Sequence, residues 1–155
     1  MISPDILLYE QNIGCPITAL VENMYVIVRD VTNNPEIIWR IKDSTNLDKK
    51  MRFKNVTNVL FINDVYGIRI LVDTPEEIYA VLKRIQGSFV GCIDHDYVKN
   101  PKTRNDKPCF VGKSLRLIQF IAYKNDVPFE IQITTKEWNE LHEALHEEYH
   151  RDKYS

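Results

Sequence analysis

Two apolar runs, each carrying one acid, constrain this chain most. The first is Asp64-Val65-Tyr66-Gly67-Ile68-Arg69-Ile70-Leu71-Val72, and the second is Phe129-Glu130-Ile131-Gln132-Ile133. Both have the β-branched and aromatic content of buried strands. Neither acid sits in a turn-like sequence, so each carboxylate is expected at the end of, or on, a strand. Two strands with acids at a corresponding height can hold a divalent cation between them. Arg40, Lys42, Lys49, Lys50, Arg52 and Lys54 lie upstream of the first acid. Acids able to hold a metal, facing clustered cations, point to phosphoryl or nucleotidyl transfer.

Period two sharpens the second run. Glu130 and Gln132 share one face of the strand, and Phe129, Ile131 and Ile133 share the other. Arg40 and Lys42 are also two apart, in the strand-like Ile37–Lys42, and project to one side. Plainer roles stay open: a turn cap for Asp64, a solvent-facing acid for Glu130, a solvated edge for Arg40 and Lys42.

The remaining elements follow from spacing. Ile17, Leu20, Val21, Met24, Ile27 and Val28 predict a helix stopped by Asn33-Asn34-Pro35. Ser44 is expected to cap a helix from Leu47 to about Arg52. Thr74-Pro75-Glu76-Glu77 is a helix start, with a cap, a first-turn proline and acids at the positive end of the dipole. That helix buries Ile78, Val81, Leu82 and Ile85 and ends near Gly87. A polar loop follows from Asp94 to about Lys107. Leu115–Tyr123 and Phe129–Ile133 are strands joined at Lys124-Asn125-Asp126. A closing helix, Trp138–His150, is expected to bury Trp138, Leu141, Leu145 and Tyr149. The mixed order predicts an α+β fold with a small, mostly antiparallel sheet flanked by helices.

With 155 residues, 44% of them hydrophobic, the chain suits one domain, 1–155. A net charge of −2 opposes a surface coated for duplex binding but allows a local basic pocket. There is no membrane-length apolar run and no basic secretory start. Cys15, Cys92 and Cys109 are too widely spaced for a disulfide framework or a zinc site, so a cytoplasmic protein with reduced thiols is expected. His142 and His146 share a helical face, but no third ligand completes a zinc spacing.

Four segments together resemble the synthetase domain of the RelA/SpoT family, which makes guanosine tetra- and pentaphosphate. They are Arg40-Ile41-Lys42 with Leu47 and Lys50; Asp64-Val65-Tyr66-Gly67-Ile68-Arg69; Asp96-Tyr97-Val98 with Pro101-Lys102; and Glu130-Ile131-Gln132-Ile133 with Thr135. The resemblance covers about Ile37 to His150. It implies a nucleotidyltransferase-like fold, a Mg2+ cofactor and a transfer of pyrophosphate from ATP to a guanine nucleotide. It implies Arg40, Lys42 and Lys50 on the ATP phosphates, Asp64 and Glu130 at the metal, and Glu130 as catalytic base. Arg69 either stabilises the transferred group or braces Asp64. Tyr97, Lys102, Lys113 and Gln132 are assigned to the acceptor. Small members of the family often form oligomers, which leaves a homo-oligomer open. No hydrolase domain is expected in this length.

The chain also departs from the family pattern. Gly112-Lys113-Ser114-Leu115-Arg116 stands where the family has Gly-Tyr-x-Ser-Leu-His, so the guanine-stacking tyrosine and the histidine are missing. Asn46 replaces a serine and Thr134 an arginine. Other acceptors therefore stay open. The tRNA 3′ end is one, with Lys99, Lys102, Arg104, Lys107, Lys113 and Arg116 as a basic patch. A nucleotide-binding regulator without catalysis is another.

Overall fold

The computed structural model describes residues 3–103 and 114–144, and only the backbone of residues 102, 103 and 114. Helices α1 (Pro4–Ile13) and α2 (Ile17–Val28) open the chain, followed by β1 (Glu36–Ile41), α3 (Ser44–Phe53) and a 3-10 turn at Val59–Phe61. Then come β2 (Tyr66–Val72), α4 (Pro75–Ser88), β3 (Val90–Asp96), β4 (Lys102–Thr103), β5 (Ser114–Leu115), β6 (Ile118–Lys124) and β7 (Val127–Thr135). Residues 136–144 form a further helix, α5. The expected residues Arg104, Lys107, Lys113, Leu145, His146, Tyr149 and His150 lie outside the described residues, as does the side chain of Lys102.

Five strands form one sheet in the order β1-β2-β7-β6-β3. Only β2–β7 is parallel; β1–β2, β7–β6 and β6–β3 are antiparallel. The expected mostly antiparallel α+β sheet is what forms. β6 and β7 are joined by a tight turn in which Asn125 and Asp126 have φ of 52° and 63°. Asn and Asp tolerate this left-handed region, which matches the twist of a hairpin.

The sheet has one structural face. Ile68 and Ile70 of β2, Phe129, Ile131 and Ile133 of β7, and Ile118 and Phe120 of β6 are all buried on it. α2 adds Leu20, Met24 and Val28, and α4 adds Ile78, Val81 and Ile85. α1 docks by Tyr9, whose hydroxyl donates to the Pro128 carbonyl and whose ring meets Tyr66 edge-on at 4.9 Å. Ile131 is fully buried at the centre of this layer. Ile131→Ala should cost about 2–5 kcal/mol of unfolding free energy, read from the denaturant midpoint at unchanged slope. A loss below about 1 kcal/mol would show that the layer closes over the gap.

Several local expectations change. α1 had no sequence expectation at all. α3 is capped by Asp43, whose carboxylate accepts from the Asn46 N–H at 2.9 Å, and not by Ser44. Asp competes strongly for that position, and its charge suits the helix dipole. Thr74 does cap α4, accepting from the Glu77 N–H. Part of the expected 94–107 loop is strand β3, and the expected strand from Leu115 to Tyr123 breaks at Arg116-Leu117. On α5 Trp138 packs against the core as expected, but Leu141 is 40% exposed and the buried residue among those described is His142. His142 Nε2 accepts the Arg116 N–H at 3.0 Å, which turns that side of the helix inward.

Candidate active site

The second sheet face carries the chemistry, because alternation puts Arg40, Arg69, Gln119, Glu130 and Gln132 there. Register places Arg40, Gly67, Glu130 and Ile121 in one row across β1, β2, β7 and β6. The next row is Ile38, Arg69, Gln132 and Gln119. The Arg40 side chain lies across the strand at Gly67, its Cγ 3.7 Å from where a Cβ would be, an ordinary van der Waals distance.

Asp64 lies in the turn just before β2, two residues short of the strand, contrary to the expectation that it avoids a turn. The turn aims it at two lysines. Lys42 Nζ donates to Oδ2 at 3.0 Å and Lys50 Nζ to Oδ1 at 2.7 Å. β1 delivers Lys42, whose N–H bonds the Val65 carbonyl at 2.9 Å. α3 delivers Lys50 and anchors itself with buried Leu47 and Met51. Burial alone would raise the Asp64 carboxyl, but the hydrogen bonds and charges of Lys50 and Lys42 hold it below its ordinary value.

Glu130 behaves oppositely. Burial pushes its carboxyl up, and the Asp64 charge pushes it further, against Gln132, Lys50 and Arg40. Its oxygens accept from Gln119 Nε2 at 3.1 Å and Gln132 Nε2 at 2.8 Å. Two nearby carboxylates thus have affinities for protons driven apart, the arrangement that separates an anionic ligand from a proton acceptor.

Arg69 is not paired with Asp64. Its Nε donates to Gln132 Oε1 at 2.8 Å, and its Nη1 to Asn139 Oδ1 at 2.8 Å and Glu143 Oε1 at 3.3 Å. The guanidinium therefore fixes the Gln132 amide, which in turn fixes Glu130, and ties α5 to the sheet. The bracing alternative for Asp64 falls to this geometry. His142 is held neutral, its pKa lowered to about 4 by burial and by the Arg69 charge. Thr134 is buried and donates to the Arg116 carbonyl at 2.7 Å, so it pins the chain entering β6.

Tyr97 follows β3 and stacks on His95, with ring centroids 4.8 Å apart. Sequence reasoning missed Gln119, Asn139 and Glu143. Gln119 alternates with Ile118 and Phe120, a signal that was present. Asn139 and Glu143 touch the sheet only through tertiary packing. No group of three or more His, Cys, Asp or Glu able to hold a metal exists among the described residues. Asp64 and Glu130 alone suit a Mg2+ ion that takes its other ligands from phosphates and water.

Comparison with curated proteins gives no match. Among solved structures, small alarmone synthetase 2 from Bacillus subtilis is similar at 22% identity and TM-score 0.71, covering 97% of this chain and 80% of that one. Small alarmone synthetase 1 from the same organism, bound to its product pppGpp, matches at 16% identity and TM-score 0.68, over 95% and 80% of the two chains. The same synthetase bound to AMPCPP matches at 14% identity and TM-score 0.60, over 95% and 76%. These likenesses show the fold. The model of the region found in RelA/SpoT proteins matches residues 39–154, which contain both carboxylates, both lysines, Arg40, Arg69, Gln119 and Gln132. The chain therefore belongs to the RelA/SpoT family.

Proposed function

We propose that this chain is a Mg2+-dependent pyrophosphotransferase that moves the β,γ-pyrophosphate of ATP to a ribose hydroxyl of a guanine nucleotide. One observation carries the reading. A lysine-held carboxylate in the turn before β2 lies near enough to a buried sheet carboxylate for its charge to raise that group's proton affinity, in a member of this family. The similar synthetase structures with AMPCPP and pppGpp support the same substrate classes.

Arg40, Lys42 and Lys50 bind the ATP phosphates, and the two lysines exchange Asp64 for phosphate oxygens as the nucleotide arrives. Asp64 and Glu130 would hold Mg2+, which when bound would supply neutralisation of the charge that builds during transfer. Glu130 takes the proton of the acceptor hydroxyl. That oxygen bonds to the β-phosphorus, the bond from the β-phosphorus to the bridging oxygen breaks, and AMP leaves with that oxygen. Gln119 and Gln132 orient the base, and Arg69 holds Gln132.

Purified protein with Mg-ATP and GDP, GTP or tRNA should release AMP with one acceptor; no AMP with any of them overturns the reading. The absence of a tyrosine in Gly112-Lys113-Ser114-Leu115-Arg116 favours a second reading, transfer to the tRNA 3′ end, which γ-labelled ATP distinguishes by which acceptor becomes labelled.

Arg40→Ala and Lys42→Ala should each weaken binding of a non-hydrolysable ATP analogue by about 1.5–3 kcal/mol, the worth of a hydrogen bond to a charged group. Calorimetry reads this directly. Parent-like affinity in both variants would move the donor phosphates elsewhere.

A further inference from the structure

β3 is an edge strand, and its residues from Val90 to His95 are all exposed. It nevertheless contains a bulge. Its register against β6 is regular from Val90–Tyr123 to Ile93–Phe120, then slips so that His95 pairs with Gln119 and Asp96 with Ile118. Asp94 is the extra residue. Without the slip, alternation would put residue 95 on the face of Ile93, beside the helices. With it, Asp96 turns to the helix side, where its carboxylate accepts from the Tyr79 hydroxyl at 3.1 Å. His95 turns instead to the face of Gln119, Gln132 and Arg69. Bulges beside sites re-aim side chains in this way.

Tyr97 extends the same alternation, its N–H donating to the Leu117 carbonyl at 2.9 Å. Its ring lies against His95 with planes 10° apart. The turn beyond is fixed from below, because Asp96 Oδ1 also accepts the Val98 and Lys99 N–H groups at 3.0 Å each. The His95 side chain keeps 48% of its surface exposed. Gln119, its partner across the strand pair, donates to Glu130. At about 4.8 Å per strand, His95 stands roughly 10 Å from β7. That is comparable to the reach from a ribose hydroxyl across its base.

We propose that the stacked His95–Tyr97 pair is a platform for the purine base of the acceptor, which sets its ribose hydroxyl at Glu130. Stacking on an aromatic face accepts any purine, so the ligand class is a purine ribonucleotide, either free or at an RNA 3′ end. Its naming as the acceptor rests on the transfer reading above; the platform itself is tested without turnover.

GDP and a tRNA ending in adenosine are each titrated calorimetrically into parent, His95→Ala and His95→Phe proteins, without ATP. One of the two should bind the parent, which identifies the source of the base. Its Kd should rise about tenfold in His95→Ala and return to within about threefold of the parent in His95→Phe. Affinity for a non-hydrolysable ATP analogue and the unfolding midpoint should not change. Equal binding by His95→Ala overturns the platform, as does a parallel loss of the ATP analogue or a parent that binds neither probe. Platform-dependent binding without AMP release from Mg-ATP overturns the transfer reading and leaves the platform standing.

Discussion

Glu130→Gln should lower the proposed pyrophosphate transfer by about 10²–10⁴-fold, the range expected for removing a general base. The change keeps the shape of the side chain and takes away its proton affinity. It also replaces one acceptor oxygen by an NH2 donor, whereas Gln119 and Gln132 donate to different oxygens of this carboxylate. One of the two must lose its bond, so residual activity should not benefit from better alignment. In the parent, the rate should rise with pH through the Glu130 ionisation, above the usual carboxylate range because burial and Asp64 raise it. In the variant that dependence should largely vanish. Added Mg2+ separates two roles. Partial rescue means Glu130 mainly brings charge to the metal; no rescue means it takes the proton. AMP release measured against pH and Mg2+ decides, and a parent-like rate removes Glu130 from the chemistry.

Asp64→Asn should bring transfer to background with the fold retained. A hard cation requires the charge that the amide lacks. Two partly buried ammonium groups also lose their common carboxylate, which should cost about 1–3 kcal/mol of stability. The linkage has a definite direction. The Asp64 carboxyl is held below its unfolded value, so its contribution is present above the unfolded pKa and is lost as pH falls through the folded one. The variant should therefore lose less stability on acidification than the parent. A second consequence is visible at Glu130, whose carboxyl should fall towards its ordinary value once the neighbouring charge is gone, as NMR titration would show. Undiminished activity at ordinary Mg2+ would exclude Asp64 from the metal site.

The parts of this fold that could be read from sequence are those where local and tertiary preferences agree. β2 was legible residue by residue because Tyr66–Val72 is an apolar run ended by a helix cap. α4 was legible from Thr74-Pro75-Glu76-Glu77 and its buried stripe. β3 was not, because an exposed edge strand has no burial alternation, and the bulge at Asp94 breaks what little there is. α1 was missed because Leu7 and Leu8 are exposed while only Tyr9 and Ile13 are buried, which leaves no clear stripe. At the site, alternation correctly separated Glu130 and Gln132 from Ile131 and Ile133. It could not reveal that Arg69 turns to Asn139 and Glu143, since that choice is made by how α5 lands on the sheet.

The one parallel pair among the described residues, β2 with β7, has a kinetic meaning. Gln119, Glu130 and Gln132 come together in a local hairpin closed by the Asn125-Asp126 turn, and such hairpins form in about 1–10 μs. Arg40, Lys42, Lys50 and Asp64 gather around a second antiparallel pair, β1–β2. The two halves meet only when Gly67 pairs with Glu130, across a loop that contains α4 and β3. Closing that loop carries the larger entropic cost and is expected late in folding. A nascent chain can thus form either half early, yet it becomes competent only at the last seam, and denaturant that opens β2–β7 first would silence the protein while most of its hydrogen-exchange protection survives.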